Sequence, residues 1–450
     1  MDVRSLKMMS RRDFLKATVS GLAGLCAASR VPYSAAAEAQ HMSQGHQAAF
    51  GIEPHPIIKV LRWSEFVHNE KEIWLANTRR WENLTGGRVI ADFMPWRDVR
   101  PKAAMAATIG TGPDIVFGFH DDPHLYPDKL VDVTVLADHL SEKYGGWYPV
   151  CETYGRNIST NRWIALPLGL TGMCINYRKS RVREAGFETV PREIEGLLKC
   201  CQALRAKGYY TGFALGHAVG DANGWSHWWL WSFGGKTVED DGKTVAINSR
   251  ETIQALEAAR QLYETMIPGV DQWLDPDNNK AFLAGDIVLT PNGSSIAYAA
   301  KHNAPDIYAD LVVTNMPFGP VGRPTELSSL TLGYIFQHTP VPNAAKHFLG
   351  FMFEAEQYES WLGNSFGYIT QALKQYYHLP FWENDPRITP YRECASRMLP
   401  NGYSGPLGTR SAATMSEYIV VDMFADVCTR GRSPRQAALA AERRLARFYR

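Results

Sequence analysis

The feature that most constrains this chain is the regular exchange of strand-like and helix-like segments between Ile57 and Gly118. Ile57-Ile58-Lys59-Val60-Leu61-Arg62-Trp63 is rich in β-branched and apolar residues and reads as a strand. A helix is expected over 70–85, closed by Gly86-Gly87. A second strand follows over 89–94 and ends at Pro95-Trp96. A helix over 99–109 is stopped by Gly110 and Gly112, and a third strand covers 114–118. Strands that alternate with helices imply βαβ units and a largely parallel sheet, hence an α/β fold.

The pattern resumes after Arg162. Residues 164–169 form an extended run punctuated by Pro167 and Gly169, and 173–177 read as a strand. A helix over 193–207 carries Cys200-Cys201. Asn248-Ser249-Arg250-Glu251 opens another helix with a capping residue. One helix is expected over 344–358, with Phe348, Leu349, Met352 and Phe353 on one stripe. Ser433-Pro434-Arg435-Gln436 combines a cap, an N1 proline and an N3 glutamine, and Ala438, Ala441, Leu445 and Phe448 supply the buried face.

The first forty residues have a different character. Arg11 and Arg12 precede Phe14-Leu15-Lys16, a weakly apolar Ala/Gly run and Ala35-Ala36-Ala37. This is the layout of a secretory leader, and the paired arginines read as a twin-arginine address over 1–37. A periplasmic location is expected. Leu25 before Cys26 does not supply the small residue expected ahead of a lipidated cysteine. Residues 38–56 are polar and unpatterned, a flexible lead-in. About 410 residues then remain, too many for one ordinary core, so two lobes are expected. Removing the leader leaves 41 basic against 44 acidic residues, which gives no support for nucleic-acid binding. Six cysteines remain. They form no zinc-like spacing, and Cys394–Cys428 is one pairing an oxidising compartment would permit.

The familiar catalytic signatures are incomplete in this sequence. Gly234-Gly235-Lys236-Thr237 lacks the glycine a phosphate loop needs at 230, where Leu230 stands, and reads as a turn. Asn292-Gly293-Ser294-Ser295 is not a nucleophile elbow. His120-Asp121-Asp122-Pro123-His124 is one loop without a distant ligand set, so no metal and no cofactor are expected. The chain contains 13 tryptophans, many beside Gly, His or Asp, which suggests a cleft where flat faces stack on a ligand.

Gly112-Pro113-Asp114, Leu166-Pro167-Leu168-Gly169, Asn176-Tyr177, Gly234-Gly235, Phe282-Leu283-Ala284-Gly285-Asp286 and Gly367-Tyr368 together resemble the family 1 extracellular solute-binding proteins of ABC importers, the maltose-binding protein group. Gly112-Pro113-Asp114-Ile115-Val116 is similar to that family's G-x-P-D-V strand. Leu166-Pro167-Leu168-Gly169 with Asn176-Tyr177 resembles its crossover, and Gly234-Gly235 its glycine pair after a helix. Phe282-Leu283-Ala284-Gly285-Asp286, Asn292-Gly293-Ser294, the segment 344–349 and Gly367-Tyr368 follow in the family's order.

The resemblance implies a periplasmic-binding-protein fold: two α/β lobes joined by crossing strands near 165–170, 314–317 and 366–370, with the ligand held between them. The lobes are expected at 57–166 plus 317–366 and at 167–316 plus 367–450. It also implies an ABC permease with its ATPase as partner, a small solute as ligand, no catalysis and a monomeric state. Loops at strand ends line such clefts. The candidate ligand residues are Trp63, Glu65, Trp96, Phe119, His120, Asp121, Thr171, Trp225, His227, Trp228, Asn292, Thr331 and Tyr334. Aromatic faces with hydroxyl-binding polar groups point to a carbohydrate or polyol. The alternatives are an exported enzyme acting on a glycan, and a phosphorylated polyol held by Arg97, Arg100 and Lys102.

Overall fold

The computed structural model describes residues 51–64 and 66–450. The leader expected over 1–37, its paired arginines, most of the expected lead-in and Glu65 lie outside the described residues. Nine strands are described: β1 (Ile57–Trp63), β2 (Arg88–Met94), β3 (Ile115–Phe119), β4 (Leu166–Thr171), β5 (Cys174–Arg178), β6 (Leu289–Asn292), β7 (Leu311–Asn315), β8 (Ser329–Ile335) and β9 (Thr370–Gln371). They form a six-stranded sheet in the order β2-β1-β3-β8-β4-β9 and a three-stranded sheet in the order β6-β5-β7. The fold is mixed α/β with two lobes, one on each sheet.

The expected βαβ start is present. Helices His68–Thr85 and Trp96–Ile109 connect strands that pair in parallel, β1 with β2 and β1 with β3. The Asp114 carboxylate accepts the Lys59 backbone N–H at 2.7 Å, which ties the entry of β3 to β1. The expectation of a largely parallel sheet does not extend further. β8 runs antiparallel to both β3 and β4, and the second sheet is antiparallel throughout. The reason is connectivity. β8 comes from far along the chain and enters from the opposite lobe, so no crossover helix sets its direction.

At the edge of the larger sheet β4 meets β9, where a Cβ on Gly169 would stand 2.4 Å from Ile369 and 2.6 Å from the Thr370 carbonyl oxygen. Only glycine permits that approach.

One buried cluster surrounds the six-stranded sheet and reaches one side of the smaller sheet through Ile296, Leu311 and Val313. A second cluster joins Ile175 and Tyr177 of β5 to helices Ile194–Ala206, Asp221–Ser232, Arg250–Tyr263 and Ile419–Cys428. Cys200 and Cys201 are both buried on the first of these helices. The helix Asp221–Ser232 is buried on every side from Ala222 onward, its polar Asn223, Ser226, His227 and Ser232 included. Its Trp225, Trp228 and Trp229 are fully buried, and their indole N–H groups donate to the carbonyls of Ala214, Pro317 and Ala255.

Capping follows the sequence closely. Ser249 accepts the Thr252 N–H, and Ser433 with Gln436 forms a capping box. Two expectations are corrected. The helix expected over 344–358 is two helices, Pro342–Met352 and Ala355–Asn364. Between them Glu354 is extended, its carboxylate held by Lys143 at 2.6 Å and by the Tyr144 hydroxyl at 2.8 Å. That tertiary anchorage overrides the local helical pattern. Cys394 is not joined to Cys428: the described cysteines are free and buried. The Cys394 sulfur lies beside Gly172 and Cys174, whereas Cys428 ends a helix in the second cluster.

Arg62 and Glu70 form a buried ion pair at 2.5 Å behind β1. The Trp361 indole donates to the same Glu70 oxygen at 2.7 Å, and Arg62 lies over the Trp63 and Trp74 rings. Removing one partner strands a buried charge. Urea unfolding of Glu70→Ala is expected to show a loss of about 3–5 kcal/mol. A change under about 1 kcal/mol would mean the pair does not anchor this face.

Candidate ligand cleft

The parallel strands β1, β2 and β3 all end at one edge of the large sheet, and β4 ends there too because it also opposes β8. Phe119 pairs with Thr331, and Thr171 pairs with Ser329. The end of β3, the end of β4 and the start of β8 therefore form one floor. Facing it, the second lobe presents the end of β6 at Asn292 and the starts of helices Asp221–Ser232 and Ser295–Asn303. A cleft opens between them, lined by residues of both.

Its first wall is aromatic. Trp96 opens its helix directly after Pro95, so its ring is placed where β2 ends. It stacks on Phe119 with centroids 3.6 Å apart and meets Phe66 edge-on at 5.9 Å. Phe66 in turn stacks on Tyr368 at 5.9 Å. Phe66 and His120 both have left-handed backbones, with φ of 73° and 47°. Non-glycine residues hold such conformations at a cost, and here both line the cleft.

The floor carries polar groups whose hydrogen-bonding capacity is not used within the protein. The His120 imidazole is 1% exposed, and its Nδ1 lies 3.1 Å from the Ser328 carbonyl oxygen. Nδ1 must donate in that bond, which leaves Nε2 as the acceptor. Burial pulls the His120 pKa below its ordinary value, so the ring is neutral at pH 7. Nε2 of His120, Nε1 of Trp96 and Oγ1 of Thr171 are buried without a protein partner. An unmade hydrogen bond of this kind costs about 1–3 kcal/mol. One acceptor, one donor and one hydroxyl together match a ligand with several hydroxyl groups.

The second wall is acidic. Both Asp275 carboxylate oxygens accept backbone N–H groups at the start of the Asp221–Ser232 helix, from Val219 at 2.9 Å, Gly220 at 2.8 Å and Asp221 at 3.0 Å. Burial still pushes the Asp275 pKa upward against these bonds. Burial and then the charge of Asp275 push Asp221 well above the usual carboxylate range.

Of the residues selected from sequence, Trp96, His120, Thr171 and Asn292 line this cleft. The Asn292 carboxamide is occupied, accepting from Gly293 N at 2.6 Å and donating to Asn279, so it shapes the loop. Trp63 and Phe119 lie behind Trp96 as its packing support. Thr331 is buried in β8 with an unpartnered hydroxyl, and the Tyr334 hydroxyl bonds that of Tyr126 at 2.8 Å.

Asp121 and Asp122 are buried against Arg100, and Asn401 donates to Asp121. Burial alone would lower the Arg100 pKa, but the two carboxylates together raise it. Arg100 is thus committed to them, and Lys102 pairs with Asp92 at the surface. Trp225 and Trp228 belong to the second core. His227 lines a separate small cavity with Asn223, Thr237, Asn401 and Thr414. Phe66, Asp221, Asp275, Ser295, Ser329 and Tyr368 also line the cleft and were not selected from sequence. The acidic residue at the start of the tryptophan-rich helix was the available signal for Asp221.

Among the described residues no group of three or more His, Cys, Asp or Glu is arranged to hold a metal ion, and no helix is long and apolar enough to cross a membrane.

A family model for bacterial extracellular solute-binding proteins matches residues 79–390, more than half the chain. The chain belongs to that family. This is a family of binding proteins rather than enzymes. A probable ABC transporter-binding protein of Deinococcus radiodurans is 24% identical over 172 residues, covering 38% of this chain and 35% of the relative. The match thus spans about a third of that protein's length. Among solved structures, maltose-bound MalE3 of T. maritima superposes with a TM-score of 0.74 at 20% identity, covering 86% of this chain and 99% of that one. An ABC transporter solute binding protein from Thermotoga lettingae TMO, bound with α-D-tagatose, gives 0.74 at 16% identity over 88% and 100%. The solute-binding protein therefore shares the fold of periplasmic sugar-binding proteins.

Within this solute-binding protein, burial pulls the His227 pKa down to about 4 while its ring bonds the Asn223 carbonyl oxygen at 2.8 Å. An unfolded histidine titrates near 6.5, so below that pH the unfolded state takes up a proton that the folded state refuses. Stability contributed by the neutral ring is present at pH 7.5 and is lost as pH falls from about 6.5 to about 4. Urea titrations of wild type and His227→Gln are expected to show the stability gap shrinking by about 2–3 kcal/mol between pH 7.5 and 4.5. A constant gap would contradict this.

Proposed function

We propose that this chain is the exported binding component of an ABC importer and captures a sugar or polyol by closure of its two lobes. The observation that carries the reading is the aromatic-walled cleft floored by His120, Trp96 and Thr171, whose buried polar atoms have no protein partner. Flat apolar faces suit sugar rings, and mixed donors and acceptors suit hydroxyls. Maltose and tagatose, bound in the two solved structures named above, belong to the same class. The Deinococcus relative is described as a transporter-binding protein.

In this reading the lobes comprise 57–166 with 317–366 and 167–316 with 367–450. The chain crosses through β4, after β7 and through β9. Trp96, His120 and Thr171 are the principal ligand contacts, and Trp63, Phe119 and Thr331 support them from the first lobe. Contacts made to both walls exist only when the lobes are closed, so a ligand shifts an open–closed equilibrium by its differential affinity. A permease with its ATPase would read the closed form. The protein acts as a monomer in the periplasm, delivered there in folded form by its twin-arginine leader.

Two experiments test this. A thermal-shift screen of the mature protein against hexoses, pentoses, disaccharides and polyols is expected to give a midpoint that rises with ligand concentration. Trp96→Ala is expected to weaken that binding about tenfold. No shift with any of these compounds contradicts the ligand class. Replacing Arg11 and Arg12 by lysine in the precursor is expected to leave it uncleaved in the cytoplasm. Continued export of that variant contradicts the twin-arginine route.

A further inference from the structure

We infer that Cys174 and Cys394 are a disulfide site: on meeting an external disulfide oxidant they join, and the bond fastens the segment 389–397 to the passage from β4 to β5. The pairing is a property of the fold and does not depend on which solute the cleft takes.

Two matching repeats bring the sulfurs together. Residues two apart share a face of a strand, and residues three apart are neighbours on a helical turn. Cys174 and Asn176 share a face of β5, and Tyr391 and Cys394 are one turn apart on the short helices Thr389–Glu393 and Cys394–Arg397. The Asn176 carboxamide donates to the Tyr391 hydroxyl at 3.3 Å, and that hydroxyl donates to the Asn292 carbonyl oxygen at 3.1 Å. One step back along β5 and one turn on along the helices, Cys174 meets Cys394, and the two thiols interact directly. Gly172 leaves the room for this. A Cβ there would collide with the Cys394 sulfur and stand 3.1 Å from the Cys394 Cβ and 3.0 Å from the Tyr391 ring. Cys200 and Cys201 are also neighbours, but they are consecutive on one helix. Their Cα atoms are held about 3.8 Å apart, closer than an unstrained disulfide spans.

The segment 389–397 is the strap that a bond here would secure. Its Tyr391 and Arg392 carbonyls accept from the Thr370 hydroxyl of β9 at 2.9 Å and from the Gln371 carboxamide at 3.2 Å. Its Arg397 pairs with Glu326, just ahead of β8. The strap thus touches β5, β9 and the approach to β8 through non-covalent ties alone. The chemistry is thiol–disulfide exchange, and the periplasm proposed above is a compartment that supplies disulfide oxidants. Cys394 is 5% exposed against 1% for Cys174, so it meets the oxidant first. Its thiolate attacks one sulfur of the external disulfide, and the other leaves as a thiolate. Cys174 then attacks the Cys394 sulfur and releases the second oxidant thiolate. The two cysteines lose two electrons and two protons, and one external disulfide becomes two thiols. Burial holds the Cys174 thiol well above its ordinary pKa, which suits it to the second step, where its target is already in contact.

The test incubates the reduced mature protein with excess oxidised glutathione, alkylates the remaining thiols in denaturant, and maps peptides by mass spectrometry without reductant. The expected product is one peptide pair joined through Cys174 and Cys394, two hydrogen atoms lighter than the sum of its parts, with Cys200 and Cys201 alkylated. The melting midpoint of the oxidised protein is expected to rise by about 4 °C and to fall back on reduction with dithiothreitol. Cys394→Ala should show neither the link nor the rise. Should that variant fail to fold, the wild-type peptide map decides. Full alkylation of both cysteines after oxidation, glutathione retained on Cys394 without a link, or either cysteine joined to a different partner would overturn the site. A linked pair with an unmoved midpoint would overturn the fastening of the strap.

Discussion

Strand β8 is the constraint on which the rest of the molecule depends. It belongs to the last third of the chain yet lies between β3 and β4, hydrogen-bonded to both. Its insertion requires the chain to leave the first sheet after β4, build the second sheet, and return. It also runs opposite to its two neighbours, so its first residues meet their last ones. Ser329, Thr171 and His120 are brought to one edge by that register alone. The two-lobed plan and the cleft floor are thus consequences of a single pairing.

The way charge is buried separates scaffold from site. Arg62 meets Glu70, Arg100 meets Asp121 and Asp122, and Arg397 meets Glu326, each a largely buried pair of opposite charges. Such pairs hold geometry more than they add stability. The cleft departs from this rule. Asp221 and Asp275 share a sign, His120 is kept neutral, and the hydrogen-bonding atoms of Trp96 and Thr171 have no partner.

Much of this was legible in the sequence because it is local. Strand β1, the helices that follow it, the Ser249 and Ser433 caps and the turn at Gly234 all follow from residue type and spacing. Trp96, His120, Thr171 and Asn292 were reachable because strand ends can be read and loops after them face the cleft. Phe66, Asp275 and Tyr368 were not, since each sits in irregular chain whose position depends on distant packing. Trp225 and Trp228 illustrate the opposite error of scale: a polar sequence neighbourhood placed them beside the ligand, whereas a helix buried on all sides places them in the core. The break at Glu354 and the direction of β8 are long-range effects of the same kind.

The central claim is that two lobes shut around a solute and leave it unaltered. Small-angle X-ray scattering of the mature protein, recorded with and without a sugar that raises its melting midpoint, tests this most directly. A smaller radius of gyration in the bound state, with the sugar recovered unchanged, is the predicted result. An unchanged radius at saturation, or recovery of a cleaved product, would contradict it.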